Sequence, residues 1–206
     1  MQVAVKYPRV LLAHAQRGDC VQQLARDLSV QVATILSVQA RASLLLPGGS
    51  SPQQLLPLLA AEPLEWARVD VSPTDERWVA ADAEQSNWRL LQQGLPAAIC
   101  LDPRQADSAQ ASASLWADQL QARMPFAAVL LGMGEDGHIA SLFPGMPGLA
   151  PALDLQAVPG ALCAQAPSEP RQRLSLNLPM LLQTQWLGLL AFGQSKKQLI
   201  DAVLAD

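Results

Sequence analysis

The residues best suited to chemistry lie in the stretch VLLGMGEDGHIASLFPG, residues 129–145. His138 is its centre. An imidazole titrates near neutrality and can act as a general base at physiological pH. Asp136, two residues earlier, can orient that ring or hold it protonated, and Gly137 permits the turn between them. The apolar run before the turn has the character of a buried strand, which puts His138 at a strand end. The same stretch also spells G-x-G-x-x-G, a dinucleotide fingerprint that requires an acidic residue about 20 positions on, closing the next strand. Asp154 has that separation but sits in the loop-like GMPGLAPALDLQAVPG. Glu135 and Asp136 within the loop would repel a pyrophosphate. The nucleotide reading therefore fails on context.

Three more polar clusters follow apolar runs. In LLPGGSSP, Gly48 and Gly49 let the backbone approach a ligand, and Ser50 and Ser51 offer hydroxyls. The free N–H groups of the following helix would favour an anion. The bland alternative is a strand-to-helix turn with Ser51 as cap and Pro52 at the first helical position. The cluster lacks the G-K-[ST] ending of a nucleoside triphosphate loop. TDER reads as a polar turn carrying Asp75, Glu76 and Arg77. It is either a solvated ion pair worth little, or a place where Arg77 supports charge on a substrate oxygen while Asp75 organises its neighbours. In GQSKK, Lys196 and Lys197 open the last helix, against its macrodipole. A bound phosphate would offset that cost; Lys196, nearer the strand end, is the better ligand and Lys197 reads as solvated. His14 has no comparable setting. Ser50 and Ser141 lie outside any G-x-S-x-G elbow, so a hydrolase triad is not supported.

The elements that must position these groups alternate. Helix-period segments (residues 20–40, 51–60, 82–95, 108–124 and 195–206) are separated by continuous apolar runs with the character of buried parallel strands. Asp19 reads as the cap of the first helix. Residues 143–170, rich in Pro, Gly and Ala, read as mostly loop. The pattern predicts an α/β fold: a Rossmann-like, mainly parallel sheet with helices on both faces. Ligands of such sheets bind beyond the carboxyl ends of the strands, where all four polar clusters fall.

Composition narrows the partners. The chain has 206 residues, of which 50% are hydrophobic and 16% charged, and is read as one domain over 1–206. Its net charge of −4 gives no general field for nucleic acid, so an anionic ligand must meet a local cluster. Cys20, Cys100 and Cys163 are odd in number and widely spaced, against a disulfide framework or a zinc site. His14 and His138 are too far apart for a metal motif. The N-terminal MQVAVKYPRV lacks the apolar core of a signal peptide, and no apolar run approaches a membrane span. The expectation is a cytoplasmic protein that binds a small molecule, without metal, membrane or nucleic acid.

Together LLPGGSSP, SPTDERWVAADAEQSNWRLL, GMGEDGHIASLFPG, QRLSLNLPMLL and AFGQSKKQLI resemble, in order, the 6-phosphogluconolactonases. The resemblance runs from about Leu44 to Ile200. It implies a sheet of the sugar-phosphate isomerase and CoA-transferase type. It implies hydrolysis of 6-phospho-D-glucono-1,5-lactone to 6-phosphogluconate in the oxidative pentose phosphate pathway, without a cofactor, by a monomer or small homo-oligomer. On this resemblance His138 is the base that activates water and Asp136 its neighbour. Arg77 stands near the lactone. Gly48, Gly49, Ser50, Arg173 and Lys196 stand near the phosphate. The related glucosamine-6-phosphate deaminases are the alternative, but they have D-E-Y where this chain has Asp75-Glu76-Arg77. They also carry a ring-opening carboxylate where this chain has Phe143, and an apolar ring moves no protons. A sugar-phosphate-binding module without turnover is the non-catalytic alternative. Pro47 departs from the small residue common in the family.

Overall fold

The computed structural model describes residues 12–205; the N-terminal reading above falls on residues 1–11, outside them. A five-stranded sheet, all parallel, forms the centre. Its strands are β1 (Ala42–Leu46), β2 (Val69–Pro73), β4 (Ile99–Cys100), β5 (Ala128–Gly132) and β8 (Leu187–Leu190), in the order β4-β2-β1-β5-β8. Successive side chains of a strand point to opposite faces, and the burial follows. Leu44, Leu46, Val69, Val71, Ala128 and Leu130 enter one core with α1 (Arg17–Leu36), α2 (Ser50–Ala60) and α3 (Asn87–Gly94). Leu45, Val129 and Leu131 enter the other, with Trp116 of α4 (Ala109–Gln121).

The second face is shared. A smaller antiparallel sheet, ordered β3-β7-β6, lies there with α4 and α6 (Leu178–Leu181). Its strands are β3 (Asp75–Arg77), β6 (Ala161–Gln165) and β7 (Gln172–Leu176). Leu174 and Leu176 of β7 join the core around Trp116. The alternation of helices and strands is therefore as the sequence predicts, with a second sheet added.

One reading is corrected by that sheet. TDER is not a solvated turn: Asp75 and Glu76 are 9% and 0% exposed, and β3 pairs with β7. Residues 143–170 are mostly loop, as read, but hold two short elements, α5 (Leu149–Leu153) and β6. The strand ALCAQ hides in the sequence because its side chains are small and only its pairing with β7 makes it a strand. Helix caps also differ. α1 begins at Arg17 with Gln16 as cap, so Asp19 sits inside the first turn, where its charge still favours the helix dipole. α2 begins at Ser50, capped by Gly49 without a side-chain bond, which puts Ser51 and Pro52 inside the first turn. The predicted helix over 82–95 is only α3, started by Ser86 accepting from the Arg89 N–H.

At the far margin, β8 exposes Leu187 and Leu189, and the terminal helix α7 (Gln194–Ala205) buries none of its residues. Among the described residues no helix is long and apolar enough to cross a membrane.

Candidate active site

The sheet order places the site. β2 and β4 extend to one side of β1, β5 and β8 to the other, so the winding reverses between β1 and β5. The loops leaving these two strands diverge and open a crevice at their carboxyl ends. A hollow of about 350 Å³ lies there. It is lined by Gly48, Gly49 and Ser50 after β1, by Asp75 and Arg77 of β3, by His138 after β5, and by Arg173 and Lys196. Asp136, also expected at the site, does not line it; it reaches the site through His138.

The loop after β5 is a tight hairpin. Met133 bridges Ile139, and the Gly134 N–H donates to the His138 carbonyl at 2.9 Å. The His138 Nδ1 lies 2.5 Å from Asp136 Oδ1, and the His138 backbone N–H donates to the same oxygen at 3.2 Å. A Cβ at Gly134 would fall on the His138 ring, so this position must be glycine for the imidazole to fold back over its own loop. Partial burial works to raise the Asp136 carboxyl, but the hydrogen bonds and charge of His138 outweigh it and hold the group below the usual carboxylate range. The other face of the imidazole meets Phe143, centroid to centroid 4.3 Å. Ala140 follows with φ +48, a left-handed residue without the freedom of glycine. Such strain persists only where the surroundings impose it. Here Ser141 does so: its N–H donates to Ser175 Oγ at 3.1 Å and its hydroxyl to Asp75 Oδ2 at 2.6 Å.

That bond separates the two aspartates. Asp136 is the partner of His138, while Asp75 anchors the end of the same loop through Ser141. Ser141 is thus a fastener in the fold, its hydroxyl engaged by Asp75. The Asp75 carbonyl accepts from Asn87 Nδ2 at 2.7 Å. Asn87 in turn packs against the glycine loop so closely that a Cβ at Gly48 would overlap its amide.

Glu76 points the other way, into the fold. It accepts from the N–H groups of Arg77, Asn87 and Trp88 at 2.7, 2.8 and 2.7 Å, and lies 3.4 Å from Arg104 Nη1. Desolvation raises its pKa above the ordinary carboxylate value despite these donors and the Arg104 charge. Its acceptors satisfy the free N–H groups that open α3 and so hold Asn87 in place.

The cations come from two directions. Arg77 and Arg173 are direct cross-strand partners on β3 and β7, so their side chains share a face. The Arg77 Nη1 donates to the Gln85 carbonyl at 2.7 Å, while the Nε atoms of both arginines are buried without a hydrogen-bond partner among the described residues. Burial first, and the nearby Arg77 charge second, depress the Arg173 pKa. Lys196 approaches from the first turn of α7, its Nζ 3.3 Å from Glu135 Oε1. Lys197 turns outward to Asp201 on the same helix, as the sequence predicts. His14 is exposed.

The arrangement offers one base, several cations and a cluster of loop N–H groups around one hollow. Sequence reasoning did not assign Asn87 or Ser168 to it, although both line it. Asn87 had a signal, since Ser86-Asn87 opens a helix directly after TDER. Ser168 had none, because only the β6–β7 pairing brings its loop to the site. Among the described residues no group of three or more His, Cys, Asp or Glu side chains is placed to hold a metal ion.

Comparison with known proteins gives a consistent result. A family model described as glucosamine-6-phosphate isomerases/6-phosphogluconolactonase matches residues 15–206. The chain is 37% identical over 210 residues to a 6-phosphogluconolactonase of Pseudomonas putida, covering 98% of this chain and 86% of that one. It is 39% identical over 199 residues to that of Pseudomonas aeruginosa, covering 91% and 83%. The crystal structure of a 6-phosphogluconolactonase from Shewanella baltica has a TM-score of 0.85 at 31% identity, over 93% of this chain and 84% of that one.

Proposed function

The chain belongs to the glucosamine-6-phosphate isomerase/6-phosphogluconolactonase family, and we propose that within it the protein hydrolyses 6-phospho-D-glucono-1,5-lactone to 6-phosphogluconate, the second step of the oxidative pentose phosphate pathway. The observation that carries this reading is one imidazole–carboxylate couple and three cations around a single hollow. A δ-lactone is an activated ester and needs no covalent nucleophile. Asp136 engages Nδ1 of His138, which leaves Nε2 as the basic nitrogen. Nε2 takes a proton from water as the water oxygen bonds to C1 of the lactone. The negative charge that develops on the carbonyl oxygen is met by Arg77. Collapse breaks the bond from C1 to the ring oxygen, and the proton held by His138 passes to that oxygen, which leaves as a hydroxyl.

Lys196, Arg173 and the Gly48–Gly49–Ser50 loop take the phosphate. Its remote binding energy holds C1 against the water. The alternative in this family, ring opening with deamination, needs a second proton-moving group beside the imidazole. The side chain packed there is Phe143, which favours the lactonase.

The test is disappearance of freshly generated 6-phosphogluconolactone, with the uncatalysed rate subtracted. Wild-type protein should accelerate it. His138→Ala should lose about 10²–10⁴ of that acceleration with product affinity retained, or about 3–5 kcal/mol of transition-state stabilisation. Full turnover in the variant would remove His138 from the mechanism. Absence of acceleration with 6-phosphogluconate still bound would leave a binding module.

A further inference from the structure

The head of α7 is an anion site that already holds an anion. The first intrahelical bond of α7 runs from the Lys197 N–H to the Gly193 carbonyl at 3.1 Å. The amides of the turn before it have no intrahelical acceptor, and the dipole there favours negative charge. The Glu135 carboxylate sits at this turn. Its Oε2 accepts from Ser195 Oγ at 2.5 Å, and its Oε1 lies 3.3 Å from Lys196 Nζ. These partners, Ser195 first and Lys196 second, hold the Glu135 carboxyl below its ordinary range.

The two members of this pair differ in setting. The Lys196 side chain is 20% exposed and lines the hollow; that of Glu135 is 70% exposed and does not. Glu135 therefore reaches in from solvent to occupy a cation that lines the hollow. It also belongs to the hairpin that carries Asp136 and His138, and is next to Gly134, whose N–H holds the His138 carbonyl.

We propose that Glu135 is a built-in competitor for the ligand's phosphate: its carboxylate occupies Lys196 and Ser195 in the free protein and swings out when a phosphorylated ligand binds. This rests on the reading of Lys196 as a phosphate ligand. It makes Glu135 a residue that sets the affinity for the phosphate. A dianionic phosphate at the helix head outcompetes one carboxylate, whereas the hydroxyl of an unphosphorylated sugar does not. Ligands without the phosphate therefore meet a site whose lysine is already engaged. Because Glu135 and His138 share one short hairpin, displacement of the carboxylate also couples phosphate occupancy to the seat of the imidazole.

The experiment is calorimetric titration of 6-phosphogluconate and of gluconate into wild type, Glu135→Gln, Lys196→Met and the double variant. Glu135 is exposed, so its substitution leaves the core untouched. Glu135→Gln should bind 6-phosphogluconate about two- to fivefold more tightly, the scale of one exposed ion pair, with gluconate affinity unchanged. The gain should vanish in the Lys196→Met background, since the competition runs through that lysine. Unchanged or weaker binding of 6-phosphogluconate by Glu135→Gln would overturn the proposal and make Glu135 a support for Lys196, leaving the lactonase reading intact. A gain that persists without Lys196 would also overturn it, by reducing the effect to general charge repulsion. Wild type that binds no 6-phosphogluconate would remove the functional reading and this inference together.

Discussion

His138 owes its place to two neighbours that constrain it differently. Asp136 fixes the ring through Nδ1 and through the backbone, and Gly134 gives the ring room to lie over its own hairpin. The first of these ties carries a pH signature. The Asp136 carboxyl is held below its ordinary range. A depressed carboxylate lends stability above the unfolded pKa and loses it as pH falls through the folded one. Asp136→Asn should therefore melt below wild type at neutral pH, and the gap should close as the pH is taken below the ordinary carboxylate range. Thermal melts of both proteins at neutral and strongly acidic pH check this; a gap that is constant with pH would mean that the carboxylate charge is not what holds the hairpin. The imidazole and its neighbour were legible in the sequence because both lie in one short, glycine-rich turn after an apolar strand. Asp75 and Asp136 could not be told apart there, since the bond from Ser141 to Asp75 joins residues 66 positions apart.

Among the elements, β3 decides the most. It spans only Asp75–Arg77, yet it sends Asp75 to the Ser141 fastener, Arg77 to the hollow and Glu76 to the start of α3. Three consecutive polar residues read as a turn in sequence, because the signal for a strand is apolar alternation and these are charged. What makes them a strand is pairing with β7, almost a hundred residues later, and a carboxylate that finds its donors only in the fold. Glu76→Ala should cost about 3–5 kcal/mol, the penalty for removing one partner of a buried charge cluster. It leaves the amides that open α3 without their acceptor and removes one of the two carboxylates beside Arg104. Urea unfolding measures this directly; a loss below 1 kcal/mol would mean that water replaces the carboxylate at little cost. β6 escaped the sequence for a related reason: its alanines and cysteine say little until β7 lies beside them. The parallel strands were legible because their apolar residues are a local signal, continuous in β5 and alternating in Val69-Asp70-Val71 of β2, that needs no distant partner to be recognised.

At the scale of the whole molecule, stability and ligation are one equilibrium. Arg77 and Arg173 face one another across β3 and β7, with buried Nε atoms that have no acceptor among the described residues, and burial, then the charge of Arg77, depress the Arg173 pKa. An anion between the strands and α7 relieves that repulsion in the folded state and does nothing for the unfolded chain. The melting temperature should therefore climb with inorganic phosphate as RT ln(1 + [L]/Kd) requires, by about 2.7 kcal/mol of added stability at a hundredfold excess over Kd. Differential scanning fluorimetry in phosphate, against chloride at equal ionic strength, separates this from screening. Equal melting temperatures in the two salts would show that the arginines are satisfied without a ligand.

The glycine loop and the hairpin that carries His138 grow from β1 and β5, which lie side by side near the middle of the sheet and are joined in register at Leu44–Ala128 and Leu45–Val129. The distance between the two halves of the site is therefore set far from either margin. For a protein engineer this marks out safe ground. β4 stands two strands from the β1–β5 seam, and the outer side of β8 faces away from it. Tags, fused domains or an extra strand grafted at those borders would leave the spacing of the two loops alone, whereas a single-residue slip between β1 and β5 would dismantle it.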